Sequence, residues 1–290
     1  MAKLLAATLT PFRHEAVDLQ ALQSFYKYLL QSGVDALWVI GTTGLTNMLR
    51  PDEKIAVVKA AVEAVGGEKI LAGANADAAD EAVRLAKTYA DAGAWAVFSL
   101  PPIYHKPNTE SLYRFFETVA KASPRFYAYN FPAATGYEIP WQVLEKLARE
   151  GLLTGIKYTT GDLASFKTLR RRLKTINPNI EVLIGTDKIA AEAVAAGADG
   201  VITAMANAAP RLLRKIIDLA ATGALKEALK LETQIEELAD LARSDNPPAN
   251  LYTITKCTGH DVGTPREPLR PTITEDICRT LKHINTHPDT

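Results

Sequence analysis

Two short β-like runs, RFYAYN at residues 125–130 and TGIKY at residues 154–158, enclose a helical pattern and form one strand–helix–strand unit. Similar runs occur at six further places: residues 4–9 (LLAATL), 35–40 (DALWVI), 69–74 (KILAGA), 96–101 (AVFSLP), 181–185 (EVLIG) and 199–203 (DGVIT). The starts of consecutive runs lie 18 to 34 residues apart, which is close to the length of one strand followed by one helix.

Eight such units predict a closed parallel barrel, the (β/α)8 TIM barrel of the α/β class. An open doubly wound sheet is the alternative, but that fold usually has a glycine-rich phosphate-binding turn after its first strand. Here the first run leads into Thr8-Leu9-Thr10-Pro11-Phe12, which contains no glycine. We therefore predict a catalytic barrel over residues 1–224 and a helical extension packed on it over residues 225–290, with helices around 250–256 and 275–284.

The composition argues against several classes of protein. The 33 basic and 33 acidic residues balance, so no charge excess favours nucleic acid or an anionic membrane as a partner. No stretch is long and apolar enough to span a bilayer. The five histidines lack metal-site spacing, and Cys257 and Cys278 form neither a C-x-x-C pair nor a disulfide framework. These features favour a cytoplasmic protein without a metal site.

In a β/α barrel the active site lies at the carboxyl ends of the strands, so the residues that end each run are the candidates. These ends are rich in hydroxyl and amide side chains and include one lysine: Thr8 and Thr10, the turn Gly41-Thr42-Thr43-Gly44, Asn75, Tyr104, Tyr129 with Asn130, Lys157, Asp187 and Thr203. Such a set does not resemble a metal site and suits carbonyl chemistry through an amine.

Lys157 is the most informative of these residues, because alternate residues of a strand face opposite sides. If Ile156 packs outward against the helices, Lys157 points into the barrel, where desolvation favours the free amine that attacks a ketone. Position alone equally allows a lysine that extends its ammonium group to solvent. Tyr129 on the neighbouring strand offers a phenol for proton transfer, although a core tyrosine with a satisfied hydroxyl is the commoner arrangement.

Taken together, the ordered segments resemble the dihydrodipicolinate synthase and N-acetylneuraminate lyase superfamily over essentially the whole chain. The matching segments, in chain order, are the first-strand motif Thr10-Pro11-Phe12, the carboxylate-binding turn Gly41-Thr42-Thr43-Gly44, the proline–tyrosine loop at residues 102–107, the tyrosine motif at residues 129–136, the Schiff-base motif Gly155-Ile156-Lys157, and the eighth-strand segment at residues 201–203 with Asn207. Each motif is short, but the ordered set is specific and favours the inward position for Lys157.

The resemblance implies a role for each catalytic residue. Lys157 would form the imine with the keto carbon of pyruvate, and Tyr129 would be the general acid and base. Thr43, together with Thr42, would bind the carboxylate and relay protons to Tyr129. Tyr104 would complete that relay by reaching into the site of the neighbouring subunit in a tight dimer.

The resemblance also implies the rest of the site and the assembly. Gly185 and Ile202 would line the pyruvate pocket, largely through backbone groups. No metal or organic cofactor is implied, because the protonated imine is itself the electron sink. The implied assembly is a homotetramer built as a dimer of dimers, acting on a small-molecule 2-keto acid and an aldehyde.

Departures from the family pattern concern the substrate. The synthases carry an arginine in the tyrosine motif that grips a second carboxylate, and here that position is Ala134. The tyrosine motif, and Leu45 after the turn, resemble the archaeal 2-keto-3-deoxygluconate aldolases. Tyr158 stands where the family usually has an acid, which bears on the local geometry of the site. Lys106 is the cation best placed for a phosphate group.

The prediction is a class I aldolase that cleaves 2-keto-3-deoxygluconate, its 6-phosphate or the galactonate epimer, releasing pyruvate and the corresponding glyceraldehyde. One alternative is dihydrodipicolinate synthase or another pyruvate-dependent lyase of the superfamily. A second alternative, from a different class, is a non-catalytic sensor of sugar acids or pyruvate. The joint presence of Lys157, Tyr129 and Thr43 counts against the sensor, because a binding protein needs no nucleophile.

Overall fold

The computed structural model describes residues 1–243, 248–274 and 277–279. Its strands, in chain order, are β1 (Lys3–Ala7), β2 (Phe12–Arg13), β3 (Ala16–Val17), β4 (Ala36–Val39), β5 (Ile70–Gly73), β6 (Ala96–Ser99), β7 (Phe126–Asn130), β8 (Gly155–Tyr158), β9 (Glu181–Ile184) and β10 (Gly200–Thr203). Strands β2 and β3 form a small antiparallel hairpin above the end of β1. The other eight strands are parallel and close into a barrel, in which β1 pairs with both β4 and β10.

Alternate residues of each barrel strand face two different cores. The inward residues form a small cluster of aromatic and aliphatic side chains: Leu5, Ala7, Trp38, Leu71, Ala96, Phe98, Leu100, Tyr127, Tyr129, Leu183 and Ile202. The outward residues, Ile156 among them, pack against the surrounding helices. This alternation follows from the pleat of the strands and turns Lys157, the residue after Ile156, toward the inside of the barrel.

Amphipathic helices surround the barrel and continue past it. The described α-helices are α1 (Leu19–Gln31), α2 (Pro51–Val65), α3 (Ala79–Asp91), α4 (Thr109–Ala120), α5 (Pro132–Thr135), α6 (Trp141–Arg149), α7 (Leu163–Ile176), α8 (Ala190–Ala195), α9 (Pro210–Ala221), α10 (Leu225–Arg243) and α11 (Ala249–Lys256). Helix α10 packs on α8 and α9, and α11 packs on α10. Within the described part of the chain, no helix has the length and apolar character required to cross a bilayer.

The predicted barrel is confirmed, and its closure excludes the open doubly wound alternative. All eight predicted runs are strands, with ends that differ from the predicted ones by at most two residues. The helix predicted around residues 250–256 is α11. The helix predicted near residues 275–284 falls largely outside the described residues, and the division of the chain at residue 224 stays a prediction.

The expectation about the cysteines is wrong, because a disulfide joins Cys257 to Cys278 across 21 residues of sequence. Cys257 lies at the end of α11, and tertiary packing brings residues 277–279 back beside it. Sequence spacing reveals paired cysteines only when they belong to a compact motif, and this pair does not.

Candidate active site

The centre of the candidate site is a hydrogen bond between Lys157 and Tyr129. The two residues are register partners on the adjacent strands β8 and β7. The Nζ of Lys157 donates to the Tyr129 hydroxyl oxygen, 3.2 Å away. Both side chains are buried, with 5% of Lys157 and 2% of Tyr129 exposed. An amine and a phenol at this separation can exchange a proton directly.

Aromatic side chains pack around Lys157 and Tyr129. Trp38, from the opposite side of the barrel, lies with its ring centroid 5.6 Å from the Lys157 Nζ. The Trp38 ring stacks on Phe98 at 3.6 Å and meets the Tyr129 ring edge-on at 5.7 Å. Phe131 stacks on the Tyr129 ring at 5.9 Å. These contacts leave the phenol few alternative rotamers.

Gly185, directly after β9, leaves space for the side chain of Lys157. A Cβ at this position would lie 2.9 Å from Cε of Lys157 and would clash with the Thr159 hydroxyl. Only glycine therefore fits beside the Lys157 chain in this arrangement. Ile202, from β10, belongs to the inward cluster of the barrel. The structure thus places Ile202 inside the barrel and Gly185 beside the Lys157 side chain.

A buried acid lies at the ends of β9 and β10. The Thr203 hydroxyl donates to Asp187, and Nη2 of Arg243 lies 2.6 Å from the Asp187 Oδ2. Burial raises the pKa of the Asp187 carboxyl above its ordinary value, although Arg243, Thr203 and Lys157 all act in the opposite direction. Sequence reasoning named Thr203 and Asp187 as strand-end residues but missed Arg243. No motif marks that arginine, because it comes from the end of α10 beyond the repeating units.

The Gly41–Gly44 turn follows β4, directly opposite Lys157 across the barrel. Thr42 is exposed and Thr43 half-buried. The turn is held from β1 by the Thr10 hydroxyl, which donates to the Gly44 carbonyl oxygen at 2.8 Å. Among the described residues, no hydrogen bond joins the hydroxyl of Thr43 to Tyr129, so the predicted proton relay is not formed in the single chain.

Tyr104 stands apart from the lysine in the single chain. It is 83% exposed, and its ring contacts only that of His105 among the described aromatic residues. The loop that carries it is nevertheless anchored, because the Asp77 carboxylate accepts hydrogen bonds from the backbone N–H groups of Ile103 and Tyr104. Tyr104 is therefore a projecting aromatic residue on a fixed loop.

The residues predicted to define the substrate lie around α5. Ala134 is exposed within this helix and presents no charge. Lys106 Nζ donates to the Gly136 carbonyl oxygen at 2.8 Å. Tyr158, which occupies the position of the usual acid, faces outward and donates to the Glu138 carboxylate at 2.7 Å. Burial, and then Glu138, raise the pKa of Tyr158 to about 12. Tyr158 is thus part of the core between the barrel and the helices, and its hydroxyl is hydrogen-bonded to Glu138 and not to Lys157.

Known proteins resemble the chain along nearly its full length. It matches the Dihydrodipicolinate synthetase family over residues 1–287. It is 31% identical over 288 residues to a 2-dehydro-3-deoxy-phosphogluconate/2-dehydro-3-deoxy-6-phosphogalactonate aldolase of Saccharolobus solfataricus, covering 98% of this chain and 95% of that protein. It is 30% identical over 281 residues to a 4-hydroxy-tetrahydrodipicolinate synthase of Kosmotoga olearia, covering 96% and 94%. The crystal structure of KD(P)GA from T. tenax has a TM-score of 0.87 at 29% identity, covering 99% of this chain and 98% of that one.

The chain is therefore about equally similar in sequence to two kinds of enzyme, and sequence identity does not show which of the two activities it has. Both names are those of enzymes, and they belong to a family of pyruvate-dependent lyases. With a buried lysine–tyrosine pair inside an eight-stranded barrel, the chain belongs to the dihydrodipicolinate synthetase family and is a pyruvate-dependent lyase.

Proposed function

We propose that the protein is a class I aldolase that forms a Schiff base between Lys157 and 2-keto-3-deoxygluconate and cleaves this sugar acid reversibly to pyruvate and glyceraldehyde. The observation that carries the proposal is the buried amine–phenol pair, with 3.2 Å between Lys157 Nζ and the Tyr129 hydroxyl. A lysine amine that attacks a ketone must be close to a group that can move protons for it.

The proposed reaction begins when the neutral amine of Lys157 adds to the keto carbon C2. Tyr129 moves one proton from the nitrogen to the alkoxide oxygen and then gives its own proton to the departing hydroxide, which leaves as water. The electron pair of the C3–C4 bond forms a C2–C3 double bond as the π pair of the iminium moves onto its nitrogen, while the Tyr129 phenolate takes the proton of the C4 hydroxyl. Glyceraldehyde leaves at this step and an enamine remains on the lysine.

The second half of the cycle returns the enzyme to its starting state. Tyr129 protonates the enamine at C3, which gives the iminium of pyruvate. Water then adds to C2 with loss of a proton to Tyr129, and collapse of the carbinolamine releases pyruvate and the free amine of Lys157. Because the electron pair stays within the imine system, the cycle needs no external oxidant or reductant.

The binding roles of the other residues are part of the same proposal. Thr42 and Thr43 would hold the carboxylate of the 2-keto acid, because their turn offers two hydroxyls at the end of β4, the strand opposite β8 in the barrel. Gly185 and Ile202 would line the pyruvyl group. Tyr104 would enter the site of a neighbouring subunit, and its 83% exposure on an anchored loop supports this role.

The choice of a sugar acid rests on Ala134. An arginine at this position would supply the charge-assisted hydrogen bonds that grip a second carboxylate, and alanine supplies none. The name of the Saccharolobus solfataricus relative describes an aldolase for phosphorylated sugar acids. We therefore include the 6-phosphate and the galactonate epimer among the proposed substrates. Lys106 is the cation that we assign to the phosphate.

Condensation assays test the substrate. Pyruvate is incubated with D-glyceraldehyde, D-glyceraldehyde 3-phosphate or aspartate semialdehyde, and kcat/KM is measured for each aldehyde. We expect product with the two glyceraldehydes and a kcat/KM at least about tenfold lower with aspartate semialdehyde, because the charge recognition for its carboxylate is missing. A higher kcat/KM with aspartate semialdehyde would instead identify a dihydrodipicolinate synthase. That function is the second candidate because the relative from Kosmotoga olearia carries the name of such a synthase. A Lys157→Arg variant is the control for uncatalysed condensation.

The assembly and the location also belong to the proposal. We propose a homotetramer, a dimer of dimers, because the resemblance to the family implies it, and the exposed Tyr104 on its anchored loop supports a contact with a second subunit. The cytoplasmic location stays a prediction. The Cys257–Cys278 disulfide weighs against it, because disulfides are rare in reducing compartments.

A further inference from the structure

The chain that follows α11 packs against the β2–β3 hairpin and the segment after β4, at the carboxyl ends of the barrel strands. We call residues 258–274 the C-terminal strap. The backbone N–H of Phe12 donates to the Val262 carbonyl oxygen at 3.1 Å, and Phe12 forms a bridge with Gly263. Gly263 has φ of 74°, and a Cβ there would clash with the Phe12 carbonyl group. The strap is therefore fitted closely against the β2–β3 hairpin.

Arg266 attaches the strap to the β2–β3 hairpin and to the segment between β4 and α2. Its side chain is only 13% exposed and forms a two-pronged ion pair with Glu53, with distances of 2.7 and 2.9 Å. Its Nη1 donates to the Met48 carbonyl oxygen at 2.6 Å, and its Nε and Nη2 donate to the Glu15 carbonyl oxygen. Its guanidinium carbon lies 4.9 Å from the centre of the Phe12 ring. One side chain thus joins three segments of the catalytic face.

Met48 connects Arg266 to the Gly41–Gly44 turn. The N–H of Met48 donates to the Leu45 carbonyl oxygen at 2.8 Å, and the N–H of Leu45 donates to the Thr42 carbonyl oxygen at 3.1 Å. Consecutive hydrogen bonds therefore link Arg266 through Met48 and Leu45 to Thr42.

The Gly41–Gly44 turn requires such support because it is bracketed by strained residues. Ile40 and Leu45 both have φ of 58°, a left-handed conformation that side chains disfavour, most of all the β-branched one of isoleucine. Such strain persists only where surrounding contacts over-determine the backbone. The Thr10 hydroxyl donates to the Gly44 carbonyl oxygen, and Asn75 donates to the Ile40 carbonyl oxygen at 2.9 Å. Arg266 adds a hydrogen bond to the Met48 carbonyl oxygen, beyond Leu45.

We propose that Arg266 is a positioning residue for the 2-keto acid: it keeps the Gly41–Gly44 turn in the strained conformation that directs Thr42 and Thr43 at the substrate carboxylate. The inference rests on the proposed function, because it assumes that this turn binds the carboxylate. Loss of Arg266 would let the turn relax. Substrate affinity would fall, while Lys157 and Tyr129, which are held by the barrel strands, would keep their geometry.

The test measures how imine formation depends on pyruvate concentration. Wild-type protein and variants are incubated with a series of pyruvate concentrations and borohydride, and the trapped fraction is read by intact mass. The variants are Arg266→Ala, Arg266→Lys and Arg270→Ala. Arg270 is the matched control, because it lies on the same strap, is 78% exposed and pairs only with Glu267 among the described residues. Arg266→Lys keeps the charge beside Glu53 but lacks the fork that reaches Met48 and Glu15 together. It serves as the test variant if Arg266→Ala does not fold.

We expect Arg266→Ala to raise the half-saturating pyruvate concentration by about tenfold or more, with the maximal trapped fraction of folded protein unchanged. Arg266→Lys should give a smaller increase in the same direction, and Arg270→Ala none. Half-saturation within twofold of wild type in both Arg266 variants would overturn the inference. So would a lower maximal trapped fraction in folded Arg266 variants with half-saturation unchanged, because that result would place the effect of Arg266 on Lys157 and not on the carboxylate. If wild type itself traps no pyruvate, the proposed function fails first, and that result is distinct from a wild type that traps normally beside unaffected variants.

Discussion

The Nζ of Lys157 and the hydroxyl of Tyr129 lie 3.2 Å apart because the two residues are register partners on β8 and β7. Register partners on adjacent parallel strands point to the same side at the same height in the barrel. The separation is therefore a property of the sheet itself, and no mobile loop has to close for the two groups to meet.

Replacement of Tyr129 by phenylalanine removes the phenol but keeps the ring that Trp38, Phe98 and Phe131 contact. We expect kcat to fall by about 10²- to 10⁴-fold, the contribution of a well-placed acid–base group, with little change in melting temperature. Steady-state kinetics and thermal unfolding measure the two quantities. Wild-type kcat in folded Tyr129→Phe protein would show that the hydroxyl only packs against the lysine.

Gly185→Ala introduces a methyl group 2.9 Å from Cε of Lys157. We expect the lysine to be displaced and kcat/KM for pyruvate condensation to fall by at least about tenfold, because small misplacements of a reacting group are costly. Gly161→Ala is the matched control, since a Cβ at that exposed glycine meets no atom within 4 Å. Equal activity of the two variants would contradict the assigned contact.

Stability should depend on pH through Glu232. This residue of α10 is 3% exposed, accepts a hydrogen bond from the Ala191 N–H, and has its pKa raised to about 7 by burial and by the nearby Glu236 and Glu192. Because the folded pKa lies above the unfolded value of 4.5, the folded state favours the protonated form. The stabilising contribution of that form is complete below the unfolded pKa and is lost as the pH rises toward 7.

Glu232→Gln mimics the protonated acid at every pH and keeps an oxygen that can accept from Ala191. The variant should therefore melt at a higher temperature than wild type at pH 8 and near the wild-type temperature at pH 4.5. Differential scanning calorimetry at the two pH values measures the difference. A variant that is less stable than wild type at pH 8 would show that the carboxylate is favourable when ionised.

Reduction of the Cys257–Cys278 disulfide should destabilise the protein. In the chain-entropy description, a cross-link over 21 residues stabilises the folded state by about 3 kcal/mol, because it restricts the unfolded chain. Dithiothreitol should lower the free energy of unfolding of wild type by about this amount, measured by urea denaturation. The double variant Cys257→Ser/Cys278→Ser should show the lower value with and without reductant. Identical unfolding of oxidised and reduced wild type would contradict this expectation.

The barrel could be predicted because each of its units carries its own local signal. Apolar runs of strand length alternate with helical periods, and the two-residue pleat places Lys157 opposite to Ile156. The meeting of Lys157 with Tyr129 and Gly185 follows from the same regularity, since consecutive units become neighbouring strands.

Contacts that depend on distant parts of the chain could not be predicted in this way. Arg266 and Glu53 are 213 residues apart, and Arg243 and Asp187 are 56 residues apart, so no periodicity relates them. The pairing of Cys257 with Cys278 likewise requires the packing of the strap. Each of these contacts depends on how the residues after the barrel pack in the folded protein.

The central claim is that Lys157 forms an imine with a 2-keto acid, and reductive trapping tests it most directly. Wild-type protein is incubated with pyruvate and borohydride, digested, and mapped by mass spectrometry, with Lys157→Arg as the control. We predict that wild type gains the mass of one reduced pyruvate per chain, that the modified peptide contains Lys157, and that the control gains none. Absence of the adduct from wild type, or its attachment to another lysine such as Lys106, would contradict the account.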